Sequence, residues 1–294
     1  MKAESAFGFV NALKPPGMTS TSFGSWVKRI YGGAAVGHWG TLDPAASGVL
    51  VLAIGHATRL LPLVTPSDKR YAFELVLGTS TDTADATGRI LETAAVPGDW
   101  AQRLPAIAAQ LIGPLEQVPP MFSAVKVAGR PLYVSARRGE QIARTARPTR
   151  VLSLRVAQTG ERSARMVVEC EAGLYVRSLC EEIGNRLGTS AHMGTLVRTA
   201  AGPFSIDTAS LPTDIAEHPQ ACLLDPLSVL ALHRVELDAP RALRFMNGNA
   251  VAPASDQGVE RDSQTTVLVL HGNRCIGVGS LAVGGELSPR RVFD

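Results

Sequence analysis

Between Lys69 and Gly78 the apolar residues Tyr71, Phe73, Leu75 and Leu77 recur with a period of two. That spacing lines one face of a β-strand and suits no helix. The run Val49–Ile54 contains no polar residue and reads as a buried strand. Further strands are expected near Val151–Val156 and Arg165–Glu171. Among these lie helical stretches. Ser20 or Thr21 is expected to cap a helix that runs to about Tyr31 and is stopped by Gly32-Gly33. Asp99–Ile112 reads as a second helix, and Leu132–Arg138 as a short one. In Tyr175–Leu187, Val176, Leu179, Cys180, Ile183 and Leu187 share one helical face. Gly37–Pro44 and Gln117–Gly129 read as loops. Strands and helices mixed in this way, without regular βαβα alternation, imply an α+β fold.

After about Leu232 the texture changes to glycines, prolines and short β-like runs at Thr266–Leu270 and Cys275–Val278, closing near Leu287–Arg290. With 294 residues, 45% of them apolar, the chain is long enough for two unequal domains. They are expected at 1–231 and 232–294. No apolar run approaches a membrane span. The first residues carry no stretch expected of a signal peptide. Four cysteines without a CxxC pair fit free thiols in a reducing cytoplasm.

The net charge of +3 hides an uneven distribution. Lys126, Arg130, Arg137, Arg138, Arg144, Arg147, Arg150, Arg155, Arg162 and Arg165 face only Glu140 and Glu161, so this segment is +8 and the rest of the chain −5. Arginine dominates, 24 against 5 lysines. Guanidinium groups suit two-point contacts with phosphate and stacking on bases. Such a concentration fits either a nucleic-acid footprint or a solvated basic surface.

Gly37-His38-Trp39-Gly40-Thr41-Leu42-Asp43-Pro44 is a loop in which Pro44 holds Asp43 extended. Asp43 is then either a fixed reactive carboxylate or an Asx-turn residue. His38 is either an acid–base or stacking group, or a structural histidine. Arg177 falls in the first turn of a helix, where a cation opposes the helix dipole. It needs an anion: a carboxylate or phosphate elsewhere, or Glu181 one turn on. Thr81–Asp85 lacks the alternate-residue ligands of a calcium loop and reads as a capped turn. There is no GxxxxGK[ST], HExxH or GxSxG motif.

Taken together, GHWGTLDPAASGVL around Asp43, KPPGMTS at Lys14–Ser20 and KRYAFELVLGTSTDTADATG at Lys69–Gly88 resemble the bacterial tRNA pseudouridine synthase B family. QVPPMFSAVKVAGRPLYVSARRG, GLYVRSLCEEIG, AHMGTLVRTAAGPF and LSPRRVF continue the resemblance, in the family's order, over nearly the whole chain. Departures are Ser47 in the family's ATG, and Ala172 and Leu174 where the family usually has a basic and a hydroxyl residue.

The resemblance implies a mixed, mainly antiparallel sheet flanked by helices, a thumb inserted at about 118–150, and a small C-terminal PUA-like β domain that binds RNA. It implies isomerisation of uridine 55 in the T arm of tRNA to pseudouridine after base flipping. In this reading Asp43, Tyr71 and Arg177 are catalytic. His38, Tyr71, Tyr175 and Leu196 contact the substrate nucleotide. Lys14, Lys126, Arg130, Arg137 and Arg138 bind RNA. No metal, cofactor, membrane or obligatory protein partner is expected, and a cytoplasmic monomer is. Competing readings are a tRNA-folding protein, alone or alongside catalysis, a hydrolase built on Asp43 and His38, and a synthase acting on other RNAs through accessory proteins.

Overall fold

The computed structural model describes residues 6–64, 68–123, 125–127, 129–136, 138–252, 265–272 and 274–293. The first part of the chain runs β1 (Gly8–Lys14), α1 (Ser20–Ile30), β2 (Val36–Trp39), β3 (Ser47–Ile54), a 3-10 helix (Gly55–Leu63), β4 (Lys69–Leu77), β5 (Thr79–Thr81), β6 (Ile90–Thr93) and α2 (Trp100–Gln110). Then come β7 (Gly113–Gln117), β8 (Lys126–Val127), β9 (Arg130–Pro131), α3 (Leu132–Ala136), β10 (Arg147–Thr159), β11 (Ser163–Cys170), α4 (Val176–Leu187), β12 (Ala191–Ala201) and β13 (Phe204–Ser205). Two short helices, α5 (Pro212–Glu217) and α6 (Pro226–Val229), lead to β14 (His233–Glu236), α7 (Ala239–Met246), β15 (Thr265–His271), β16 (Arg274–Leu281) and β17 (Leu287–Val292). Among the described residues, no helix is long and apolar enough to cross a membrane.

The main sheet has the order β1-β3-β12-β4-β11-β10-β7, with β2 on β3 and β13 on β12. All its pairings are antiparallel except β3 with β12. The expected α+β class therefore holds. Strand β3 is unbrokenly apolar because both its faces are covered. Leu50, Leu52 and Ile54 join the core under α1, α2 and α4, while Val49, Val51 and Ala53 join a second core behind the sheet. That second core also takes Leu268, Val278 and Phe293, so the C-terminal β-sheet packs against the back of the main one. β14-β15-β16-β17 encloses its own small core with Phe245 of α7. Strand β4 buries Tyr71, Phe73, Leu75 and Leu77, the face given by its alternation.

Local boundaries differ from the sequence reading in several places, two of which bear on the site. Helix α1 is capped by Thr19, one residue before the expected cap, whose hydroxyl accepts the Ser22 N–H at 2.9 Å. Gly37–Trp39, read as part of the Gly37–Pro44 loop, belongs to strand β2, because β3 offers it an unpaired edge at Val51–Ile54.

That edge of β3 is shared. β12 pairs with Ser47 and Gly48, and β2 pairs with Val51–Ile54. The loop 40–46 leaves the sheet where these two partners part. Gly48 permits the close approach: it has φ +107°, and a Cβ there would lie 2.2 Å from the Arg198 carbonyl oxygen. The basic segment begins as an insertion. Gln117 ends β7 and pairs directly with Arg147 of β10, so the residues between them leave and re-enter the sheet side by side.

Candidate active site

Asp43 sits on a loop whose carbonyls are almost all bonded. Arg198 donates to the oxygens of Gly40 (2.9 Å) and Thr41 (3.4 Å), and its Nε donates to Val49 O (2.7 Å). The Ser20 hydroxyl donates to Leu42 O (3.0 Å) and accepts the Leu42 N–H (2.8 Å). Asp43 O accepts the Ala46 N–H, and Pro44 O accepts the Gly17 N–H. Lys14 Nζ donates to Pro15 O (2.8 Å), Pro44 O (3.4 Å) and Ala46 O (2.7 Å). A loop bonded this densely holds its side chains with little freedom. The KPPGMTS segment thus serves the loop: Lys14, Gly17 and Ser20 grip it, and Thr19 caps the helix that carries Ser20.

Lys14 is fully buried, and each of its bonds goes to backbone carbonyls. This corrects the expected RNA contact at Lys14: a side chain without solvent access cannot reach phosphate. Burial pushes its ammonium down to about 8. Lys14→Met is expected to destabilise the fold by about 2–3 kcal/mol through orphaned buried carbonyls, and to slow turnover while leaving RNA affinity unchanged. Thermal unfolding and binding titrations check this. Between pH 8 and 10.5 the unfolded chain holds the Lys14 proton more tightly than the folded one. Wild-type stability therefore gains from this group as pH rises through that window, and the variant lacks the gain.

The Asp43 side chain reaches the guanidinium of Arg177, with Nε 3.0 Å from Oδ2 and Nη2 3.2 Å from Oδ1. Arg177 is 4% exposed and Asp43 31%. The same guanidinium donates to Thr83 O (3.1 Å) and Phe122 O (2.8 Å). The anion that a helix-start arginine requires is therefore Asp43, not Glu181. Burial raises the Asp43 carboxyl above its ordinary range, opposed chiefly by Arg177 and also by Lys14, while Asp85 adds to the rise. Asp85 itself closes the 81–87 turn, accepting from the Thr83 and Thr87 hydroxyls and the Thr87 N–H.

The cleft above this pair measures about 210 Å³ and is lined by residues including Tyr71, Lys69, Tyr175, Met193 and Leu196. Tyr71 lies opposite Arg198 across β4 and β12. Burial pushes its phenol up, and the neighbouring Arg198 opposes that. Burial also pushes the Tyr175 phenol up. Tyr175 is fixed at the start of α4 by Gln117, whose amide accepts the Tyr175 N–H (2.9 Å) and donates to its carbonyl (3.2 Å). Tyr175 itself makes no side-chain cap on α4. Asp43, Tyr71, Arg177, Tyr175 and Leu196 thus converge on one cleft. His38 does not line it. Its ring lies on β2, half-buried, with Nδ1 buried and unbonded, and its pKa lowered by burial and by Arg198.

On the insertion, Arg130 and Arg138 are exposed. Arg137 lies outside the described residues, as does the side chain of Lys126. Arg198 and Gln117 escaped the sequence reading. Arg198 occupies a core-facing position two residues after Leu196, and a charge at such a position was the available signal.

A carboxylate anchored at the floor of a cleft, beside an aromatic wall and a dense cationic frame, can attack carbon or remove a proton from a neutral group held in the cleft. Mounted on a mixed sheet with a β domain packed behind it, this is the architecture of the pseudouridine synthases. Residues 28–176 match the model of the TruB family pseudouridylate synthase N-terminal domain. Residues 177–219 match the tRNA pseudouridylate synthase B C-terminal domain, and 234–293 the pseudouridine synthase II TruB C-terminal region. The tRNA pseudouridine synthase B of Heliobacterium modesticaldum is 42% identical over 83% of this chain and 81% of its own length. That of Caldanaerobacter subterraneus subsp. tengcongensis is 35% identical over 97% and 99%. A solved Cbf5-Nop10-Gar1 complex contains a chain 26% identical, with a TM-score of 0.68 over 98% of this chain and 84% of that one. The chain belongs to the TruB family of pseudouridylate synthases.

Proposed function

We propose that this chain converts uridine 55 in the T arm of tRNA to pseudouridine. The observation that carries this reading is the two-point grip of Arg177 on Asp43 at the floor of a cleft walled by Tyr71, in a chain of this family. The bond from uracil N1 to ribose C1′ breaks, the base turns, and C5 joins C1′. C5 loses a proton and N1 gains one, so no electron or group leaves the nucleoside and the reaction calls for no cofactor. Asp43 acts ionised at the glycosidic bond. Arg177 keeps it charged against the effect of burial. Tyr71 stacks on the freed uracil, and its hydroxyl assists loss of the C5 proton. Tyr175 and Leu196 complete the walls around the nucleotide.

The target base must leave its loop, which costs a few kcal/mol. Contacts to the RNA backbone from Arg130, Arg138 and their neighbours supply that energy, and the loop is read by its shape. The domains divide at 231/232, with a PUA-like RNA-binding unit after it. The enzyme works as a cytoplasmic monomer without an obligatory protein partner.

The test is a T-arm stem-loop incubated with the purified chain and no added metal. We expect pseudouridine at the target position, unchanged RNA mass, and release of tritium from C5-labelled uridine. Free uracil or a cut strand would refute isomerisation. Replacing Arg130 and Arg138 by Ala should weaken binding and lower the salt slope of affinity by up to about 1.4.

A further inference from the structure

Lys69 opens β4 and lines the wall of the cleft and also of the adjoining crevice around Arg70, Thr199 and Gly202. Its ammonium lies 5.7 Å from the centroid of the Trp39 ring. A Cβ placed on Gly40 would stand 3.4 Å from both Lys69 Nζ and Arg198 Nη1, so two cations flank the same stretch of backbone. Neither belongs to any ion pair among the described residues. Lys14, fully buried, adds a third cation to the frame. Asp43 is the only carboxylate in the cleft lining among the described residues, and Arg177 already holds it. Within the cleft lining Lys69 therefore has no carboxylate to itself, and the carboxylates of the adjoining crevice, Asp68, Glu169 and Asp207, form no ion pair with it among the described residues. Burial, and after it the like charge of Arg198, push the Lys69 ammonium down.

Uracil and ribose bring no negative charge into such a cleft; the phosphodiesters on either side of the target ribose do. With the base at Tyr71 and the sugar at Asp43, those phosphodiesters lie at the cleft, whose lining includes Gly40 and Lys69. We propose that Lys69 is a phosphate-binding residue for the flipped nucleotide, its ammonium donating to a non-bridging oxygen of a phosphodiester attached directly to the target ribose. The face of the Trp39 ring supports the ammonium, and the like charge of Arg198 beside the same backbone repels it. This rests on the RNA-isomerase reading above and adds to it a site on the substrate backbone.

The experiment is a double-mutant cycle between protein and RNA. Three T-arm stem-loops are used: unmodified, and with a neutral methylphosphonate on the 5′ or the 3′ side of the target uridine. A fourth carries the methylphosphonate in the distal stem. Dissociation constants are measured with turnover blocked by Asp43→Asn, with and without Lys69→Gln. With Lys69 present, one of the two flanking methylphosphonates should weaken binding about tenfold, the loss expected for a hydrogen bond to a charged group. With Lys69→Gln the same RNA should lose less than about twofold, while the distal control behaves alike in both proteins. Equal losses in both proteins overturn the assignment and leave Lys69 as a support for Trp39. If Lys69→Gln fails to fold, Lys69→Met replaces it, and the same fall in the flanking loss to less than about twofold is expected. Absence of any loss at both flanking linkages with Lys69 present overturns the proposal whatever the variant does. Conversion of the unmodified stem-loop by the wild-type chain reports separately on the isomerase reading.

Discussion

Asp43→Asn should reduce pseudouridine formation by about ten thousandfold or more and leave tRNA affinity within about threefold. Asparagine has the same shape, and its amide oxygen still accepts from Arg177. It has no negative charge to act at C1′ or on a sugar proton, so the chemical step loses its agent. The loop itself does not depend on this side chain. Its carbonyls are held by Arg198, Ser20, Gly17 and Lys14, and the Asp43 backbone oxygen by the Ala46 N–H. Cleft shape and RNA grip therefore persist. Removing a negative charge from a site that receives a polyanion cannot weaken binding electrostatically. Tritium release from C5-labelled tRNA measures the first effect, and a binding titration the second. Substantial release would show that another group performs the chemistry, while a large loss of affinity would show that Asp43 shapes the cleft.

The parts of this site that were legible in the sequence are those with a local signature. The period of two at Tyr71–Leu77 and the stripe from Val176 to Leu187 follow from backbone geometry alone. The pairing of Asp43 with Arg177 was legible as a mismatch, since a cation at a helix start needs an anion and a proline-fixed aspartate stood unassigned. Lys14 and Arg198 were not legible in this way. Their partners are mainly backbone carbonyls brought from distant segments, and a carbonyl leaves no mark on the sequence. Strand β2 was hidden for a related reason. Its residues have no strand-like alternation, and its structure comes from the free edge of β3. Gly48 shows the same limit: its sequence neighbours suggest only a turn, whereas its function is to admit the backbone of Arg198 where β3 meets β12. The resemblance to known synthases located the residues, and the packing shows why lysine, serine and glycine stand in the first motif.

Arg177→Met should be the most damaging change outside Asp43 itself, and its effect should depend on pH. The guanidinium joins three segments: the Asp43 loop, the 81–87 turn through Thr83 O, and the start of the insertion through Phe122 O. Breaking a buried ion pair by removing one member costs about 3–5 kcal/mol. Asp43 keeps some access to water, so the lower end of that range applies. Burial already raises the Asp43 carboxyl above the ordinary value of 3.8, and Arg177 is the largest influence opposing it. Without Arg177 the carboxyl rises further. Turnover needs the ionised form, so the acid limb of kcat, which in the wild type lies above 3.8, moves to higher pH in the variant. The loss of activity is then greatest in acid and shrinks as pH rises. Stability runs the other way. A carboxyl with a folded pKa above its unfolded one favours the fold while protonated and loses that advantage as pH rises from 3.8 through the folded value. The variant's deficit in unfolding free energy should therefore be larger at neutral than at acid pH. Arg177→Lys keeps the charge but not the fork, and so should restore much of the pH profile. It should leave turnover about a hundredfold low, the scale of loss for a reacting group displaced by an ångström. An acid limb that stays in place in Arg177→Met would mean that the guanidinium holds the loop without setting the charge on Asp43.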